Sequence, residues 1–355
     1  MAVDLSRILV IGSTGYFGKF MVDASIRLGH PTFALVREST AASNPEKAKI
    51  VESFKSSGVN IVYGDIYDRA KLMATLKKVD VVICTLSHRT PHLFDDEVML
   101  VQAIKEAGNI KLVRDLRHLL RLEKRCWCCD VESLEKPEEE NDGVSVPVWT
   151  SDIRYIPSEF GFDVERLEIL EPVKSVLGVK AKIRQRIREE GVPHTIVCGK
   201  LAANFHFVPR IGQVEASGPP TDKIHILGDG NTKVVLVKEE DTATYTVKAA
   251  VDPRTLNKIV YLRPPGCVIT HNEMIDLWEK KTGKKLERIY VPEPEVIKKI
   301  EESPPEFKGH YYIAHAGFLK GQTMVDIDPS FGLEASELYP EVRYSSIDEQ
   351  LDSFL

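Results

Sequence analysis

The chain has 355 residues, 43% of them hydrophobic, and a formal net charge of -6. It is long enough for a large buried core and two domains, and the charge balance excludes the basic footprint of a nucleic-acid binder. No apolar run reaches bilayer-spanning length, no signal segment precedes the first strand, and six unevenly spread cysteines suit reduced thiols, so a cytosolic setting is expected.

Ile8, Leu9, Val10 and Ile11 form a continuous apolar run, as a buried parallel strand requires. Gly12-Ser13-Thr14-Gly15-Tyr16-Phe17-Gly18 follows and leads into an amphipathic stretch to Gly29, giving strand, glycine turn and helix. The GxxGxxG spacing lets the backbone approach a dinucleotide pyrophosphate, and the helix start offers it free N–H groups. A second strand, residues 31–36, ends about twenty residues beyond the last glycine, where an acidic residue would hold an NAD ribose hydroxyl. The residue there is Arg37, whose guanidinium suits a 2′-phosphate instead. The cofactor expected is therefore NADPH, with Lys47 as a second cation.

A helix over residues 50–57 and a strand over 59–63 come next. Asp65 then either faces the adenine or caps the following helix. That helix, through Leu72 and Leu76, leads to strand four, residues 79–84. Its outlet, Thr85-Leu86-Ser87-His88, lies at the carboxyl edge of the sheet, where open α/β sheets bind ligands. His88 and His92 read as loop histidines, and Cys126, Cys128 and Cys129 lack the paired spacing of a zinc site, so no metal is expected. Val98, Val101, Ile104 and Ala107 recur at helical spacing over residues 95–107, and Gly108-Asn109 stops that helix. From 112 to 153 the pattern breaks into a basic amphipathic run, CWCC and an acidic tract with the composition of a solvated loop.

RYIPSEFG, residues 154–161, restores strand and turn. Pro172 opens a helix over 173–190 that Gly191 closes. Val173, Val176, Leu177, Ile183 and Ile187 share one face, with Lys180 in its middle. A lysine on an inward stripe must be paired or give up proton affinity, and the second is what a general base needs near neutral pH. A stem that merely packs and snorkels is the alternative.

Residues 194–198 read as a buried strand and 209–220 as a crossover to a second lobe. Ile224 to Leu227 and Val234 to Val237, around Gly228-Asp229-Gly230-Asn231, read as a hairpin. Helices are expected from Glu239 and over 272–282, 293–302 and 347–354. The architecture expected is α/β. A Rossmann-type doubly wound parallel sheet spans 1–200, with 112–153 as a loop-like insertion. A smaller C-terminal α/β substrate lobe spans 201–355, some of its segments returning to the first domain.

GSTGYFG, GHPTFALVREST, AIKEAGN, PSEFG, EPVKSVLGVKAKIR, ILGDGN and EASELYP resemble the signatures of one plant reductase family. It includes phenylcoumaran benzylic ether reductases, isoflavone reductases, pinoresinol-lariciresinol reductases and eugenol synthases, among the NmrA-like atypical short-chain dehydrogenases. The resemblance implies that Gly12 through Gly18, Arg37 and Lys47 hold NADPH, with Thr85, Ser158 and Phe160 completing the cofactor set. It implies that Lys180 is the catalytic lysine, with Val176 where typical short-chain dehydrogenases carry a tyrosine.

The chemistry implied is removal of a phenolic proton by Lys180, opening of a benzylic ether to a quinone methide and hydride transfer to the benzylic carbon. Isoflavone reduction, eugenol or isoeugenol synthesis, and a non-catalytic NADP(H)-sensing role stay open. The implied partner is a small phenolic molecule, with a homodimer left open and neither nucleic acid nor membrane. Many members read close to SNCFAGYF in the stretch lining the substrate pocket, where this chain has Cys198-Gly199-Lys200-Leu201-Ala202-Ala203-Asn204-Phe205. The family runs from EAGNIK straight to RYIPSEFG, so 112–153 is read as retained intron sequence or a splice variant; transcripts of only the long form would sink that reading.

Overall fold

The computed structural model describes residues 5–87, 92–108 and 153–355. Five parallel strands among them form one sheet in the order β3-β2-β1-β4-β5: β1 (Ile8–Ile11), β2 (Thr32–Val36), β3 (Asn60–Tyr63), β4 (Val81–Cys84) and β5 (Arg154–Ile156). Every β1 side chain is buried, because the strand has neighbours on both edges and helices on both faces. Ile8 and Val10 enter one core with α1 (Tyr16–Arg27) and α3 (Pro45–Ser56). Leu9 and Ile11 enter the other with α4 (Arg69–Leu76), α5 (Leu93–Ala107) and α6 (Val173–Glu189). The fold is thus a Rossmann-type doubly wound α/β sheet. The short α2 (Glu38–Ser43) lies between β2 and α3.

A parallel bridge from Tyr155 to His194 carries the sheet on to β6 (Thr195–Cys198), which pairs with β10 (Lys258–Tyr261) and through it with β13 (Gly332–Glu334). A separate core gathers around β7 (Leu201–Ala202), β8 (Lys223–Leu227), β9 (Lys233–Val237), α8 (His271–Thr282), β12 (Glu287–Val291), α9 (Glu293–Glu302) and α10 (Pro305–Ala314). The helix between these regions, α7 (Glu239–Val251), packs on α1 in the first domain's core. No helix among the described residues is long and apolar enough to cross a membrane.

Several boundaries differ from the sequence reading. The predicted hairpin does not form: β8 pairs in parallel with β12, and β9 pairs with β7 and with β11 (Val268–Thr270). Left-handed Gly228 and Gly230 turn the chain from one small sheet into another, so both apolar strands find partners distant in sequence. The third helix starts at Pro45 because Asn44 caps it, its side chain accepting from the Lys47 N–H. Asp68 rather than Asp65 caps α4, accepting from the Lys71 N–H. Val176 is 45% exposed, because the inward stripe of α6 runs through Leu177, Lys180, Ile183, Arg184 and Ile187. His88, Asn109, the three clustered cysteines and all of 112–153 except buried Ile153 lie outside the described residues.

Candidate active site

The glycine turn lies between the ends of β1 and β4 and the start of α1. Gly12 adopts φ +78°, and a Cβ on it would sit 2.7 Å from Thr85 Oγ1. A Cβ on Gly18 would sit 2.7 Å from both the Gly12 carbonyl carbon and Ser13 Cα. At these positions a side chain would force the backbone to shift, because the α1 N-terminus packs directly against the strand ends. Ser13 and Thr85 spend their hydroxyls inside the protein: Ser13 Oγ donates to Leu35 O (3.1 Å) and Thr85 Oγ1 to Ile11 O (2.9 Å). They shape the turn, while Thr14 and Gly15 stay half-buried on its open side. Tyr16 donates its phenol to Glu239 Oε1 (2.7 Å), tying the turn to α7.

Arg37 stands at the end of β2, its side chain 64% exposed and its Nε 3.8 Å from Asp65 Oδ2, a loose pairing that leaves donors for an anion. Lys47 lies in the first turn of α3, beyond α2.

On the other side of the turn, Ser158 Oγ donates to Leu86 O (2.6 Å), fastening the outlet of β5 to that of β4. Phe160 is held at φ +53° and its ring stacks on Phe17, centroids 5.7 Å apart. A phenylalanine in the left-handed region is strained and needs a rigid surround. Arg184, with no exposed surface, supplies one: it donates to both Glu159 carboxylate oxygens (3.1 and 3.0 Å) and to Asp163 Oδ1 (2.6 Å), while Tyr261 donates to Asp163 Oδ2 (2.6 Å). With its carboxylate so committed, Glu159 presents its backbone carbonyl to Lys180, whose Nζ donates to it (3.0 Å). Lys180 is 8% exposed. The structure therefore brings Lys180, Ser158, Phe160, Thr85 and residues 12–18 to the carboxyl edge of the sheet, with Arg37 at the end of β2 and Lys47 farther along, on the first turn of α3.

Two further buried charged residues lie within reach of the Lys180 charge: Glu97, which the sequence reading did not single out, and Lys200, which it placed only in the substrate-pocket stretch. Glu97, on α5, is 1% exposed; its Oε2 accepts from the Tyr155 phenol (2.7 Å). Burial pushes its carboxyl up to about 7, against the opposing pull of the Tyr155 hydrogen bond and the Lys180 charge. Its place on the Leu93, Glu97, Leu100, Ile104 stripe was the available signal. Lys200, directly before β7, is wholly buried over the Phe17 ring, 4.7 Å from its centroid. No acceptor among the described residues reaches its Nζ. Burial draws its ammonium down to about 8, with Glu239 opposing and the Lys180 charge adding. Among the described residues no group of histidines, cysteines and acids has the arrangement of a metal site.

A parallel sheet in this order, a glycine turn packed on its first helix and a buried lysine beside that turn define the class: a Rossmann-type dinucleotide-binding fold of the short-chain dehydrogenase kind. The chain belongs to the NmrA-like family, which it matches over residues 4–113 and 153–351. An isoflavone reductase homolog of Solanum tuberosum and eugenol synthase 2 of Clarkia breweri are each 46% identical, over 99% of this chain and of their own. Phenylcoumaran benzylic ether reductase Pyrc5 of Pyrus communis is 44% identical over the same shares. A crystal structure of isoflavone reductase is similar with TM-score 0.82 and 40% identity, covering 99% of this chain and 100% of that one. The structure of AtPrR2 with NADP+ and (+)pinoresinol has TM-score 0.81 and 32% identity over the same shares.

Proposed function

We propose that this oxidoreductase opens a benzylic ether of a phenylpropanoid-derived phenol, with NADPH as reductant and Lys180 as general base. The observation that carries the reading is the Lys180 amine, buried beside the glycine turn with Val176 turned to solvent where a catalytic phenol would stand. The Tyr155 phenol is committed to Glu97. A site built this way takes a proton from its substrate more readily than it gives one to a ketone. Relatives named as benzylic ether reductase and isoflavone reductase homologs support it.

The residues present fit NADPH. A Cβ on Gly12 or Gly18 would fill the cradle, residues 12–18 and the α1 N-terminus suit the pyrophosphate, and Arg37, with Lys47 nearby in sequence, suits a 2′-phosphate. When bound, NADPH supplies the hydride. Lys180 takes the proton of a para-hydroxyl, the electrons released expel the benzylic oxygen as a phenolate that takes a proton back from Lys180, and the quinone methide left behind would accept the hydride at its benzylic carbon and a proton from solvent at its oxygen. The stacked rings of Phe17 and Phe160 put an apolar surface beside the turn. The free thiols of Cys84, Cys198 and Cys267 suit a cytosolic setting.

The test is product analysis with NADPH and dehydrodiconiferyl alcohol, beside the same compound methylated at its free phenol. Ring opening of the first and inertness of the second are expected. Equal turnover of both would refute the base-initiated route, and turnover only of an isoflavone or of coniferyl acetate would move the chain to another branch of the family.

A further inference from the structure

Glu159 has no part in the reaction described so far, yet α6 grips it at both ends. From adjacent turns of the inward stripe, Lys180 Nζ donates to the Glu159 backbone carbonyl (3.0 Å) and Arg184 donates to both oxygens of the Glu159 carboxylate (3.1 and 3.0 Å). The carbonyl that receives Lys180 belongs to the same peptide unit as the Phe160 N–H, which donates to Val197 O (2.9 Å). That peptide therefore spans from α6 to β6, and it leads into Phe160 in the left-handed region, at φ +53°. On the far side Gly161 O is fixed by the Gly199 N–H (2.7 Å) and the Lys200 N–H (3.2 Å). Phe160 would relieve its strain by turning the 159–160 peptide back toward ordinary backbone, and that rotation would carry the carbonyl off Lys180. Strain of this kind persists only where the surroundings over-determine it, and the Arg184 grip is what opposes its release.

We propose that Glu159 is a positioning residue acting through Lys180: its carboxylate, fixed on Arg184, holds the 159–160 peptide in place and so keeps the base aimed. The inference rests on Lys180 being the base. With one N–H on the carbonyl, the amine keeps its lone pair for the substrate's phenolic proton. Once it has taken that proton, the ammonium still donates to the same oxygen. The proton moves from the phenol oxygen to Lys180 Nζ, and Glu159 neither gives nor receives it. The grip needs no charge on Lys180, because the cation that Glu159 pairs with is Arg184.

Glu159→Gln on the full-length protein tests this. Three carboxylates (Glu159, Asp163 and Glu165) share two guanidiniums (Arg184 and Arg188), so removing one negative charge leaves the network balanced. The amide fills the same space but offers Arg184 one acceptor in place of two. Glu159→Asp, one methylene short of the same grip, serves if the amide does not fold. In single-turnover hydride transfer from bound NADPH to dehydrodiconiferyl alcohol, Glu159→Gln should be about ten- to hundredfold slower than wild type. Added to Lys180→Met, it should change the residual rate by no more than about twofold. The same loss in both backgrounds would overturn the inference, since a merely structural role does not depend on Lys180. With NADP+ bound, the Phe160 amide should exchange its hydrogen about tenfold or more faster in Glu159→Gln, while Leu9 and Val10 on β1 keep their protection. Unchanged protection of Phe160 would also overturn it. A wild-type rate in Lys180→Met would refute the base itself, and the exchange measurement is read apart from that result.

Discussion

Replacing Gly18 with alanine perturbs the cradle where its tolerance is smallest. The new Cβ would meet the Gly12 carbonyl carbon and Ser13 Cα at 2.7 Å, whereas ordinary contacts begin at 3.4 Å. All of these are backbone atoms of a turn fixed by the Gly15 N–H donating to Gly12 O and by Ser13 Oγ on Leu35 O. Relief must come from α1, which would retreat by roughly 1 Å in a close-packed surround. Overpacking of this kind costs about 1–3 kcal/mol, and the better helix propensity of alanine returns about 1 kcal/mol. Net destabilisation should be at most about 2 kcal/mol, small enough to leave a folded protein to assay.

Cofactor affinity should suffer more, because the retreat withdraws α1 N–H groups from the pyrophosphate. Losing two charge-assisted hydrogen bonds at about 1.5–3 kcal/mol each weakens NADPH binding by about 100-fold or more. Gly178→Ala is the control, since its Cβ would meet no atom within 4 Å on α6, and it should stabilise the fold by about 0.5–1 kcal/mol. Calorimetric titration with NADPH and urea unfolding measure both quantities. Wild-type NADPH affinity in Gly18→Ala would refute the reasoning.

Arg184→Met should destabilise the fold by about 3–5 kcal/mol in urea unfolding, because it leaves the Glu159 and Asp163 carboxylates buried without their cation; a change under about 1 kcal/mol would contradict that. Arg37→Ser should cut the preference for NADPH over NADH by about tenfold or more, read as the ratio of dissociation constants. Lys200→Met should be more stable than wild type at pH 7. The Lys200 ammonium falls from 10.5 in the unfolded chain to about 8 in the native one, so its cost is complete below 8 and vanishes above 10.5. The gap should be about 3 kcal/mol at pH 7 and close as pH rises through that window. A gap that widens with pH would mean that the buried ammonium is not the source.

The glycine turn, Arg37 and Lys180 were legible because each depends on local spacing: three glycines, the length of one βαβ unit, and the period of one helix. Glu97, Arg184 and Lys200 were not, because what makes each tolerable is remote in sequence. Arg184 is inward because Glu159 and Asp163 lie across from it, and once it is inward the stripe of α6 rotates and Val176 is turned out. Lys200 is sheltered by Phe17, far back in the chain. The GDGN turn misled for a related reason: its residues suit a hairpin, but the strands on either side have better partners in β12 and β11. Turn chemistry reports a change of direction and says nothing of the strand that will be waiting.

The central claim is that Lys180 is the base. Single-turnover hydride transfer from NADPH to dehydrodiconiferyl alcohol, measured for wild type and Lys180→Met with NADPH affinity determined on the same samples, tests it most directly. A loss of about 10²–10⁴ in rate, the usual weight of a general base, with NADPH affinity within about twofold of wild type, is the predicted result. Transfer within tenfold of wild type by Lys180→Met at equal NADPH occupancy would contradict the account.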